Sequence, residues 1–190
     1  GERRLVISNF PIYIDPSKDG VPGSVERFSA QTGIAVTYRE DINDAQAFFA
    51  KIQPDLAAGH RLNQDLFVTP YWMAQRLIRL GWVDPLPLKA APHVANLEPA
   101  LRHPSWDPEQ RYSLPWQSGI AGIAYNPSTV KPEDAPKTYL DLLNPRWTDN
   151  INVKVTISGL QHVTWYVIRK LHGPEYWDKF AKLKPHAFDS

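Results

Sequence analysis

"DLFVTPYWMAQRLIRLG", residues 65–81, reads as a complete strand-and-helix unit. Residues 65–68 form a short apolar strand, Thr69 caps the helix that follows, Pro70 takes its first position and Gly81 stops it. Two earlier stretches repeat the unit. Residues 5–8 read as a strand, and "GSVERFSAQTG" then sets Val25 and Phe28 on one helical face before Gly33. "IAVTY", 34–38, is a strand by its β-branched content, and "EDIND" leads into a helix with Phe48, Ile52 and Leu56 in an apolar stripe and Asp44 as N-cap. Pro54 lies inside that helix, where a kink or a split is expected. Strand and helix alternating three times is the pattern of βαβ units, so the expected class is α/β with a mainly parallel sheet.

Beyond this unit the chain changes character. Pro85, Pro87, Pro92, Pro99, Pro104 and Pro108 predict an irregular surface connection. "RYSLPWQSGIAGIAYNP", 111–127, reads as strand, small-residue break, strand. A strand is expected over 153–157, helices over 160–171 and 174–183, and "HAF" opens a further strand near the end.

Composition narrows the function classes. The 190 residues are 43% hydrophobic and 22% charged, which suits one substantial core or two modest lobes. A net charge of +1 gives no basic groove for nucleic acid. No cysteine is present, so disulfides and thiolate metal sites are excluded. No apolar run is long enough to span a membrane, and residues 1–4 do not read as a signal peptide; an exported form is expected to have lost its targeting segment or to lack it here. GxSxG, P-loop and HExxH motifs are missing, and the six histidines show no metal-ligand spacing. No enzyme activity and no cofactor are expected.

In open α/β sheets, ligands bind at the carboxyl ends of the strands. The loops there are "NFPIY", "EDIND" and "TPYW", which carry Phe10, Tyr13, Asp41, Tyr71 and Trp72. Aromatic rings at such a place bury apolar ligand surface or meet a cation face on. Any one of them would serve equally well as a plug for the sheet edge; their recurrence on three successive loops points to a site. Glu40 and Asp41 together read as solvated loop charge or helix-dipole partners.

The stretches "SNFPIYID", "RFSAQTGIAVTYREDINDAQAFFAKIQPDLAAG", "DLFVTPYWMAQRLIRLGWV", "LEPALRHPSWDPEQRYSLPWQSGIAGIAYNP" and "LDLLNPRW" carry a family likeness. In this order they resemble the extracellular solute-binding proteins of ABC importers, in the spermidine/putrescine-binding branch. The resemblance implies a type II periplasmic-binding-protein fold, with lobe one over 1–116 and a crossover with a partial lobe two over 117–190. The family runs longer than this chain, and the C-terminal part of lobe two and the return to lobe one are expected to be missing. It also implies hinge closure on a small solute held between lobes, an extracytoplasmic location, and a membrane permease as partner. "PWQSG" resembles the first crossover and brings Trp116, Gln117 and Ser118 into the expected cleft. Phe10 and Tyr13 fall where polyamine binders carry Trp and Tyr, and Trp72 matches an aromatic position. Ile12 stands where a relative has a carboxylate, and Gly159 and His162 stand where acids would meet a polyamine's ammonium groups.

"TISGLQH" offers a second ligand chemistry. Ser158 and Gly159 precede a helix, so a hydroxyl and free backbone N–H groups suit a carboxylate, sulfonate or phosphate, and the likeness to relatives with similar turns implies an oxyanion or ferric-type ligand at Thr156–Gly159. The same residues are equally an ordinary helix cap. His162, one turn further on, completes the expected set.

Overall fold

The computed structural model describes residues 3–154 and 159–188. The chain forms two compact units, Gly1–Gln117 and Ser118–Ser190.

In the first unit, β1 (Arg4–Ser8), α1 (Ser24–Thr32), β2 (Ala35–Arg39), α2 (Ala45–Ala57), β3 (Leu66–Phe67) and α3 (Tyr71–Arg79) follow one another in the expected alternation. The strands make one sheet in the order β2-β1-β3, all parallel, with Leu5 opposite Val36 and Ser8 opposite both Arg39 and Phe67. β1 therefore lies in the middle, and its carboxyl end at Ser8 is flanked by the ends of both neighbours. Asp65 lengthens the short β3 pairing, because its carboxylate accepts the Val6 N–H at 2.8 Å while its own N–H reaches the Val6 carbonyl at 2.9 Å.

The helix ends follow local chemistry. Asp44 accepts the Ala47 N–H at 2.8 Å and caps α2. At the end of α3, Gly81 adopts φ 68°, its N–H bonds the Ile78 carbonyl, and the Trp82 N–H bonds the Leu77 carbonyl. Those two bonds satisfy carbonyls left free by the last turn, and Trp82 packs against the Phe49, Met73 and Leu77 cluster, its ring stacked on Phe49. α3 begins at Tyr71 with Pro70 as its cap, one residue later than the sequence predicts, and the Thr69 side chain makes no capping bond. α2 runs through Pro54 as one helix. That proline stands in the last turn: it gives no N–H to the Ala50 carbonyl, and the helix ends three residues later.

The core of this unit lies on the α2 and α3 side. Ile42, Phe48 and Ile52 form one buried cluster; Phe49, Met73 and Leu77 form another, and Phe67 and Leu56 pack against both. α1 contributes no buried residue, and Phe28 on the expected apolar face is 41% exposed.

After α3 the proline-rich segment is irregular, with three short 3-10 turns between Leu88 and Leu101. It is organised by Asp107, which is buried and accepts the main-chain N–H groups of Arg111, Tyr112 and Ser113 and the Ser113 hydroxyl, at 2.9–3.1 Å. No strand forms over 111–127, against the sequence expectation. Apolar alternation supplies a face but not a partner, and these residues pair with no neighbouring strand: Ile120 is 98% exposed and Leu114 39%.

The second unit holds β4 (Asn152–Lys154), α4 (Gly159–His172), α5 (Glu175–Lys182) and β5 (His186–Phe188). β4 and β5 pair in parallel, with Val153 opposite Ala187. The residues 155–157 expected to continue β4 lie outside the described residues. Ile151, Ile168, Tyr176 and Leu183 are buried. Tyr176 stacks on His172 and Phe180, meets Trp177 edge-on, and donates its hydroxyl to the Tyr139 carbonyl at 2.8 Å. Its burial pushes the hydroxyl pKa up to about 12.

Candidate functional site

The chain leaves β1 through Asn9, which is fully buried. A buried amide must satisfy its own groups, and Asn9 does so by fastening the loop. Its N–H bonds the Arg39 carbonyl, its carbonyl accepts from Ile42, its side-chain oxygen accepts the Phe10 N–H, and its Nδ2 donates to the Tyr38 hydroxyl at 2.7 Å. The ends of β1 and β2 are thereby tied together at the edge where a ligand is expected.

Immediately beyond Asn9, the rings of Phe10 and Tyr13 lie 5.3 Å apart at 35°. Phe10 leans on the Ile42, Phe48 and Ile52 cluster, so the pair stands on a buried base. Trp116, 46% exposed, returns to the same loop and donates its indole N–H to the Tyr13 carbonyl at 3.1 Å. Between the two rings, Ile12 is 92% exposed and adopts φ 66°, and its N–H is bonded to the Glu40 carboxylate at 3.0 Å.

Asp41 is exposed and, with Asn43, Asp44, Ala47, Phe48 and Lys51, lines a cavity of about 200 Å³ at the start of α2. Tyr71 opens α3, is 42% exposed, and stacks on Trp106 at 5.0 Å and 29°. Partial burial raises its hydroxyl pKa. Trp72 is half-buried against the Phe49, Met73 and Leu77 cluster, and its indole N–H is buried without a hydrogen-bond partner. Gln117 and Ser118 are exposed, and His162 is exposed on α4, where Gln161 donates to the Lys154 carbonyl. Ser158 and the 156–158 part of the second-unit turn lie outside the described residues.

Phe10, Tyr13 and Trp116 are thus joined by direct contacts, while Tyr71 and Trp72 make theirs with Trp106 and with the core. Three participants are not foreseen as such by the sequence: Asn9, Glu40, which is expected as solvated charge or a helix-dipole partner and instead accepts the Ile12 N–H, and Trp106. An Asn directly after a strand is the one local hint for the first; the other two act across long sequence separations and leave no local pattern. Among the described residues no group of three or more His, Asp or Glu side chains is arranged to hold a metal ion.

Comparison with known proteins bears on the family and the fold. The profile of the family described as bacterial extracellular solute-binding protein matches residues 54–184. The chain belongs to this family. Among curated relatives of this chain, the spermidine/putrescine-binding periplasmic protein 1 of Haemophilus influenzae is 24% identical over 147 residues, which is 77% of this chain and 39% of that protein. The putrescine-binding periplasmic protein PotF of Escherichia coli is 30% identical over 150 residues, 75% of this chain and 36% of that protein. The chain spans about two fifths of the length of the curated relatives it matches. Among solved structures, the spermidine/putrescine ABC transporter substrate-binding protein PotD of Streptococcus pneumoniae matches with a TM-score of 0.73 and 23% identity, over 98% of this chain and 55% of that one. A chain from Listeria monocytogenes matches with a TM-score of 0.70 and 24% identity, over 99% and 57%. These likenesses show the fold, an α/β periplasmic-binding-protein architecture with parallel sheets.

Proposed function

We propose that this chain acts as a substrate-binding component of an ABC importer outside the cytoplasm and captures a polyamine. The observation that carries the reading is the Phe10 and Tyr13 ring pair at the carboxyl end of the central strand, next to the acidic loop that carries Glu40 and Asp41. Aromatic faces attract an alkylammonium group and also cover its methylene chain, and the exposed Asp41 carboxylate compensates its charge. The names of the relatives support the same ligand class. In this reading 1–116 and 117–190 act as lobes, a hinge closes on the solute, and a membrane permease receives it. Tyr71, Trp72, Gln117, Ser118, Ser158 and His162 are further proposed ligand contacts. The protein releases its ligand unchanged.

The test is intrinsic tryptophan fluorescence during titration with spermidine and putrescine, beside a control set of amino acids, sugars and phosphate. A saturable change with polyamines alone supports the reading. A response to phosphate alone transfers the function to an oxyanion, and a response to none of them overturns it.

A further inference from the structure

The 10–13 loop combines features that local sequence does not explain. Ile12 is β-branched and yet adopts φ 66°, a left-handed conformation that its Cβ substituents disfavour. Its apolar side chain is 92% exposed, so no packing holds it there. Such a conformation persists where the surroundings over-determine it. Two long-range hydrogen bonds supply the constraint: the Glu40 carboxylate accepts the Ile12 N–H at 3.0 Å, and the Trp116 indole N–H reaches the Tyr13 carbonyl at 3.1 Å. Asn9 fixes the start of the same loop by accepting the Phe10 N–H at 2.8 Å. Phe10, Ile12 and Tyr13 are thus anchored by Asn9 just beyond β1, by Glu40 just beyond β2 and by Trp116, 103 positions from Tyr13.

We infer that Glu40 and Trp116 are positioning residues that clamp the 10–13 loop in its left-handed turn and thereby hold the Phe10 and Tyr13 rings in their tilted pair. Neither needs to touch the ligand. Glu40 places one carboxylate oxygen on the backbone, and Trp116 gives its only side-chain donor to a main-chain carbonyl. A pre-set loop loses less conformational freedom on binding than a free one, so the clamp raises affinity without adding a contact. The affinity consequence rests on the function proposed above; the clamp itself does not.

The experiment uses amide hydrogen exchange by NMR on the ligand-free chain, followed by spermidine titration of the same samples. Glu40→Ala is expected to speed exchange of the Ile12 amide by about fivefold, the loss of roughly one hydrogen bond. Glu40→Gln keeps a carbonyl acceptor and is expected to stay near the wild-type rate. Trp116→Phe keeps an aromatic ring, removes the donor, and is expected to shift the Tyr13 carbonyl carbon resonance upfield. Spermidine affinity is expected to fall about fivefold in Glu40→Ala and in Trp116→Phe and to be retained in Glu40→Gln. An unchanged Ile12 exchange rate in Glu40→Ala overturns the clamp. Faster exchange with unchanged affinity overturns the positioning role. A wild-type chain that does not bind spermidine overturns the proposed function, and the exchange rates then decide the clamp alone.

Discussion

Asp65 and Val6 bond each other twice: the Asp65 carboxylate accepts the Val6 N–H at 2.8 Å, and the Asp65 N–H donates to the Val6 carbonyl at 2.9 Å. The side chain stands in for a ladder partner that the two-residue β3 is too short to provide. β3 must stay in register because α3, with Tyr71 and Trp72, follows directly from it.

Removing that carboxylate is therefore expected to loosen the β1-β3 edge. Asp65→Ala should lower the unfolding free energy by about 1–2 kcal/mol, the range for a bond to a charged group at a partly exposed place. Asp65→Asn, which keeps an acceptor, should lose less. Urea denaturation followed by circular dichroism measures both.

A larger loss is expected at Asp107. Its buried carboxylate gathers four donors from the 111–113 turn, and Asp107→Ala strands all of them. The cost should be about 3 kcal/mol. Denaturation of the variant should show it, together with faster amide exchange at Arg111, Tyr112 and Ser113.

Tyr176 gives a pH dependence with a definite sign. Its folded-state pKa, about 12, lies above the ordinary tyrosine value, so the folded chain holds this proton more tightly than the unfolded chain. The associated stability is fully present below about pH 10 and declines as pH rises toward 12. Tyr176→Phe should remove that alkaline decline and lower stability at neutral pH, since the bond to the Tyr139 carbonyl is lost. Thermal unfolding measured between pH 9 and about 12 separates the two effects.

Much of the fold was legible because its determinants are local. The strand-helix alternation, the Asp44 cap and the Gly81 stop each depend on a few adjacent residues, and all three stand in the structure. The strands expected over 111–127 did not form, because a strand requires a partner and the segment itself cannot show whether one exists. Phe28 shows the same limit for a helix: its face was readable, its exposure was not. At the candidate site, the loop aromatics could be named from their place after each strand. Glu40 read as solvated charge, and only the fold revealed that it accepts a backbone N–H twenty-eight positions away. Trp106 likewise reaches Tyr71 from an irregular stretch that carries no periodic signal.

The ring pair itself is tested by Tyr13→Ala, calorimetrically, with spermidine as the titrant. Its ring meets Phe10 at a tilt and stays partly exposed, so the variant should keep its fold while losing a cation-binding face. The wild type should bind spermidine saturably at one site, and Tyr13→Ala should bind about tenfold more weakly, a difference of about 1.4 kcal/mol. Equal affinity of the two proteins for spermidine, or no binding heat from the wild type, would contradict a polyamine site built on Phe10 and Tyr13.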